Sequence, residues 1–131
     1  MAYEFSNYAV KFTAVAGADL SAAQYKFVKM SADNTVVLCS AATDAPIGVL
    51  QNAPTSGAEA SVLVSVGTKL VASAAIAAGV KIGTASTGKA DAKVAGTDTT
   101  EYTVGQVISS SAADADLLTA VVNCASPNRA A

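Results

Sequence analysis

The chain of 131 residues contains no histidine and no tryptophan, a single arginine (Arg129), three prolines and two cysteines. Without histidine the commonest general base and the commonest metal ligand are both missing. Zinc sites of the usual kinds are therefore not expected, and no serine has an imidazole to activate it. Cys39 and Cys124 stand in unrelated contexts with no C-x-x-C spacing, each in or beside an apolar run. They read as buried free thiols, although a disulfide between them stays open. Aromatic residues make up 5% of the chain and charged residues 14%, against a usual charged share of about 25%. So neutral a surface, rich in small side chains, suits packing against other protein. The net charge of −2 leaves no basic face for nucleic acid, since Lys26 and Lys29 are too few to make one.

Long apolar runs are also scarce. The longest uncharged one, Leu70 to Val80, lies between Lys69 and Lys81 and falls well short of the roughly 20 residues a membrane helix needs. The start, M-A-Y-E-F-S-N-Y, has neither a basic n-region nor an apolar h-region. The expectation is cytoplasmic synthesis, with no membrane partner.

What is present is short extended runs punctuated by turns. The most sharply bounded is A-P-I-G-V-L-Q-N-A-P, Ala45 to Pro54. Its prolines restrict the residues before them and cannot donate to an interior ladder, so the strand between must be short. Ile47 and Val49 alternate with Gly48 and Leu50, and Gly48 leaves room for a close neighbour. Pro46, Gly48 and Pro54 thus read as framework residues. Further strands are expected at Tyr8 to Val15, Tyr25 to Met30, Thr35 to Cys39, Ser61 to Val66 and Thr68 to Ala72. Later ones are expected around Val80 to Gly83, Lys89 to Val94, Tyr102 to Ser109 and Leu117 to Cys124. Asp19 and Ser73 are placed to cap short helical turns, the second closed by Gly79. The pattern predicts an all-β single domain, a compact β-barrel or β-sandwich-like fold with short helical turns. Residues 1–7 form an extended N-terminal arm, 8–124 the β-rich domain, and 125–131 a flexible polar tail.

Candidate chemistry is thin. The acids fall in turns or near termini, where solvated carboxylates belong. Asp114 and Asp116 are spaced like part of a calcium loop but lack its glycine and glutamate. The stretch from Gly83 to Lys89 superficially suggests a phosphate loop, but Ala90 stands where Ser or Thr is needed. No catalytic, metal or cofactor-binding residues are assigned, and an enzyme is not expected. Four of the seven aromatics crowd the first twelve residues: Tyr3, Phe5, Tyr8 and Phe12. At the tip, Tyr3 and Phe5 read as anchors in a partner.

Several stretches together carry a resemblance. They are G-A-D-L-S-A-A-Q-Y-K-F-V-K (Gly17 to Lys29), A-P-I-G-V-L-Q-N-A-P (Ala45 to Pro54), G-A-E-A-S-V (Gly57 to Val62) and A-A-I-A-A-G (Ala74 to Gly79). T-G-K-A (Thr87 to Ala90) and Y-T-V-G-Q-V (Tyr102 to Val107) follow in order. In this order the chain resembles the DUF2190-like capsid decoration, or cement, proteins of tailed phages. That resemblance implies a β-barrel-like domain on the outer surface of the phage head. Its partners would be the major capsid protein and further copies of itself, commonly as a homotrimer. Such a protein cements capsomers and holds the shell against the pressure of packaged DNA. The arm residues Tyr3, Glu4, Phe5 and Tyr8 are the candidates for capsid binding, Met1 to Phe5 adding an extended segment to a capsid strand. The competing reading is a head-surface module for host-cell or glycan attachment, disfavoured because the only aromatic beyond Phe27 is Tyr102.

Overall fold

The structure, a computed structural model, describes residues 9–131. Among them the regular elements are all strands: β1 (Val10–Ala16), β2 (Phe27–Ala32), β3 (Thr35–Leu38), β4 (Gly48–Leu50), β5 (Glu59–Val71) and β6 (Lys81–Thr84). They continue with β7 (Ala90–Ala92), β8 (Tyr102–Thr103), β9 (Gly105–Ser109), β10 (Leu117–Asn123) and β11 (Asn128–Arg129). The all-β expectation holds.

Five strands close on themselves. In the order β1, β3, β2, β4, β5 each is hydrogen-bonded to the next, and β5 returns to β1. The β1–β3 pairing is parallel, with Val15 opposite Thr35, and the other four are antiparallel. A closed ring leaves no strand edge for a stray chain to pair with. Its interior is filled by small side chains, Ala14, Ala16, Ala23, Val28, Val36, Ala60 and Val62, with Leu20 and Leu50. Small residues fit the narrow lumen that so few strands enclose.

The second half grows from the same long strand. The sheet continues from β5 through β10, β9 and β6 to β7. It curls back until Ala72, just past β5, makes a single parallel bridge to Ala90 of β7. Between these strands lies a larger core: Phe27, Leu63, Leu70, Ile76, Ile82, Val107, Leu118 and Val122, with both thiols. The expectation that Gly67 interrupts the strand is not met, because β5 runs through it unbroken.

β5 serves both cores because its alternation slips partway along the strand. Ala60 and Val62 face the barrel and Leu63 faces the larger core, but from Val64 onwards the even-numbered side, with Val64, Leu70 and Ala72, packs on the larger core. Val66 sits at φ +85°, a conformation that costs an L-residue with a branched side chain about 1–2 kcal/mol. The slip falls at Leu63 and Val64, where the pairing with β1 is irregular, Lys11 lying opposite Leu63 and Val10 opposite Ser65, and the left-handed Val66 follows just after it.

The two expected helical turns are single turns and bridges. After Asp19, the Ala23 N–H donates to Leu20 O at 3.0 Å and the chain moves on. After Ser73, Ile76 is bridged antiparallel to Ser111, whose hydroxyl accepts the Ile76 N–H at 3.0 Å. Burying Ile76 in the core takes precedence over the modest helix preference of the alanines around it. The tail expected to fray is tied down. Asn128 and Arg129 pair with Thr103 and Tyr102, the Arg129 guanidinium lies 5.2 Å from the Tyr102 ring centre, and the Ala130 N–H donates to Glu101 O. A cation on an aromatic face and a buried Ala130 give those last residues contacts that a solvated tail lacks.

Candidate interaction surface

The framework residues lie in the barrel wall. Pro46 and Pro54 are buried, and β4 between them is three residues long. A Cβ at Gly48 would stand 2.5 Å from the Leu63 carbonyl oxygen and 2.5 Å from Val62 Cγ1. The glycine therefore lets β4 lie against β5, whose Val62 and Leu63 it pairs with. The arm residues Tyr3, Glu4, Phe5 and Tyr8 lie outside the described residues.

Acidic side chains in the first half cap and clamp. Asp44 accepts hydrogen bonds from Lys29 Nζ at 2.9 Å and from the N–H groups of Ser40 and Ala41. Burial pushes its carboxyl up, but those donors together outweigh burial and hold it below the ordinary range. Asp114 is exposed and paired with Lys89 at 2.9 Å.

The second half holds an ion cluster that the sequence reading missed. The Lys93 side chain is fully buried, with Nζ 2.5 Å from Glu101 Oε1 and 3.2 Å from Asp91 Oδ2. Ser73 Oγ donates to the other Asp91 oxygen at 3.1 Å. Asp91 and Lys93 are two apart in an extended segment, so both point to one face. That spacing was the available signal, and Glu101 comes from a different loop. A Cβ at Gly83 would lie 2.0 Å from the Tyr102 carbonyl oxygen and 3.0 Å from Lys93 Cε. The glycine makes room for the lysine stem and for β8. With its lysine buried and its carboxylates partly exposed, the cluster ties β7 to the loop before β8.

Cys39 and Cys124 are free and buried in the larger core. Burial pushes each thiol up to about 12, so neither is a nucleophile near neutral pH. Among the described residues no group of three His, Cys, Asp or Glu side chains could hold a metal ion.

What remains is surface. An open groove of about 340 Å³ runs along the outer face of β9 and β10, with Lys81, Gln106, Val121, Asn123, Ser126 and Asn128 among its walls. Val121 is 47% exposed within it, and Leu117 and Ile108 are exposed further along the same two strands. Among the described residues no acid lines the groove. Across the molecule, at the end of the barrel, Val15 is 40% exposed on the outward face of β1. Both patches are built on strands.

No protein-family model matches the chain, and no curated protein matches it. Among solved structures it is similar to the N base of head fiber gp8.5 of bacteriophage phi29. The TM-score is 0.65 at 19% identity, over 88% of this chain and 95% of that one. At that identity the likeness is one of fold. It extends over both halves, because no alignment of that length fits within the barrel alone. These findings do not place the chain in the decoration-protein family.

Proposed function

We propose that the chain is a structural protein of a phage virion. In this reading it binds the outer surface of the head, contacts the major capsid protein and cements neighbouring capsomers. The observation that carries this is the fold shared with a phage head fiber base over nearly the full length of both chains. The low-charge, strand-built surface and the order of the decoration-like motifs support it. A shell presents many equivalent sites, so modest affinity at each suffices when copies also touch one another. The role is one of binding, not catalysis. Tyr3 and Phe5 anchor the arm in the capsid, with Glu4 and Tyr8 alongside, since buried aromatics carry a large share of interface energy.

The test is binding to purified heads that lack the protein. The full chain is expected to decorate them, and a chain without residues 1–7 to lose most of its occupancy while melting at the same temperature. Failure of the full chain to bind would refute the head reading. Full occupancy by the shortened chain would refute the role of the arm alone.

A further inference from the structure

Charge is distributed unevenly between the two contact surfaces. At the barrel end, Val15 lies opposite Glu59 of β5 and Thr35 of β3, so all three share one outward face. The turn at Asp33 adjoins it, because the Val15 N–H donates to Asn34 O at 2.8 Å. Asp19 follows in the loop that leaves β1. Asp19, Asp33 and Glu59 are exposed, and among the described residues none makes an ion pair. Residues 12–25 and 30–68 contain no lysine or arginine at all. The barrel end is therefore an apolar knob with an acidic rim. The groove is its opposite. Residues 102–113 and 117–131 contain no acid, Lys81 is exposed and among the described residues makes no ion pair, and Val121 stands open beside it.

We infer that the groove of one copy receives the barrel end of another. Val15 seats on Val121, and Glu59 and Asp33 come to face Lys81. Opposite charge orients the encounter, and the apolar contact at the centre supplies affinity. The two patches are unlike, so the contact is head-to-tail. A dimer joined this way still exposes one free knob and one free groove, and assembly continues until a ring closes or a chain extends. This contact deepens the virion reading by assigning the surfaces through which copies touch, but it forms in the absence of heads.

Sedimentation of the full chain, without heads, tests it. Wild type is expected to assemble with rising concentration into species larger than a dimer, and less so at high salt. Lys81→Glu and the double reversal Asp33→Lys/Glu59→Lys are each expected to weaken assembly about tenfold or more. All three positions are exposed, and unchanged melting temperatures confirm that the variants fold. Mixing the two variants is expected to restore assembly, because each then offers a charge-matched partner for both patches of the other. A chain that stays monomeric, a dimer that stops at two, or a mixture no better than its components would overturn the contact. Loss of head binding by Lys81→Glu in a chain that is otherwise monomeric would also overturn it, assigning the groove to the capsid and leaving the virion reading intact.

Discussion

The two halves of the molecule solve the same problem differently. Each is a curled sheet that must close around a core, and both share β5 as one wall. The first half closes through the backbone. Its five strands are hydrogen-bonded all the way round, and the core inside is mostly alanine and valine. The second half closes by one backbone bridge, Ala72 to Ala90, together with side chains. Across that margin the Ser73 hydroxyl donates to Asp91, whose other oxygen meets Lys93, and Lys93 in turn pairs with Glu101. Backbone closure demands room, which explains the glycine and small residues of the barrel. Side-chain closure admits a larger core, with Phe27, five leucine and isoleucine side chains and two thiols inside. The margin closed by side chains is the one more easily opened.

Substitutions should separate the halves, the largest effect coming from the barrel. Gly48→Val forces a side chain against the Leu63 carbonyl, backbone that the ring holds on both edges. A loss of about 4 kcal/mol or more, or failure to fold, is expected in urea denaturation. Lys93→Met leaves two carboxylates beside an apolar side chain and should cost about 3–5 kcal/mol. If it costs less than about 1 kcal/mol, side-chain closure is not what holds the second half. Next come opposite faces of one strand. Leu63→Ala empties part of the larger core, for about 2–5 kcal/mol, and Val62→Ala should cost less because fewer atoms leave the barrel. A single denaturation transition in both would show that β5 couples the cores, and two transitions would show that it does not.

The thiols give a pH test confined to the second half. Each is held at about 12 by burial, against 9.0 for an exposed cysteine. Above pH 9 the unfolded chain releases protons that the folded chain keeps. The unfolded state then binds fewer protons, and stability falls as pH rises towards 12, by at most about 1.4 kcal/mol per pH unit for each thiol. A Cys39→Ala/Cys124→Ala variant should be less stable at pH 7 but show a shallower decline above pH 9. Equal slopes would mean that the thiols are more accessible than their burial suggests. The smallest effect is local. Amides of β7 should exchange hydrogen faster than those of the barrel strand β3, because one margin rests on a single bridge.

Much of the strand layout was legible because period-two runs alternate with Gly, Ser and Thr turns. Val62 and Leu63, or Leu118 and Val122, announce themselves as strand residues without help from the fold. What could not be read was how the strands join. The parallel pairing of Val15 with Thr35 joins segments separated by a hairpin turn and a loop, and no local pattern records it. Nor did alternation reveal that both faces of β5 are buried, each in a different core. Gly67 reads as a break, yet the pleat slips earlier, at Leu63 and Val64, and the left-handed backbone falls on its neighbour Val66, a residue whose type argues against it. Of the site, the framework glycine at 48 could be read from its prolines. The groove could not, because Lys81, Gln106, Asn123 and Asn128 come together only when β6, β9, β10 and the tail are assembled. Arg129 and Ala130 were read as frayed because nothing before them in the chain announces Tyr102 as a platform.

The central proposal is that this two-core domain is a structural component of a phage head. An electron-microscopy reconstruction of heads incubated with the full chain tests it most directly. The account predicts density for the domain on the outer surface of the shell, spanning the boundary between neighbouring capsomers. Bare shells at saturating protein, or density confined to the interior, would contradict it.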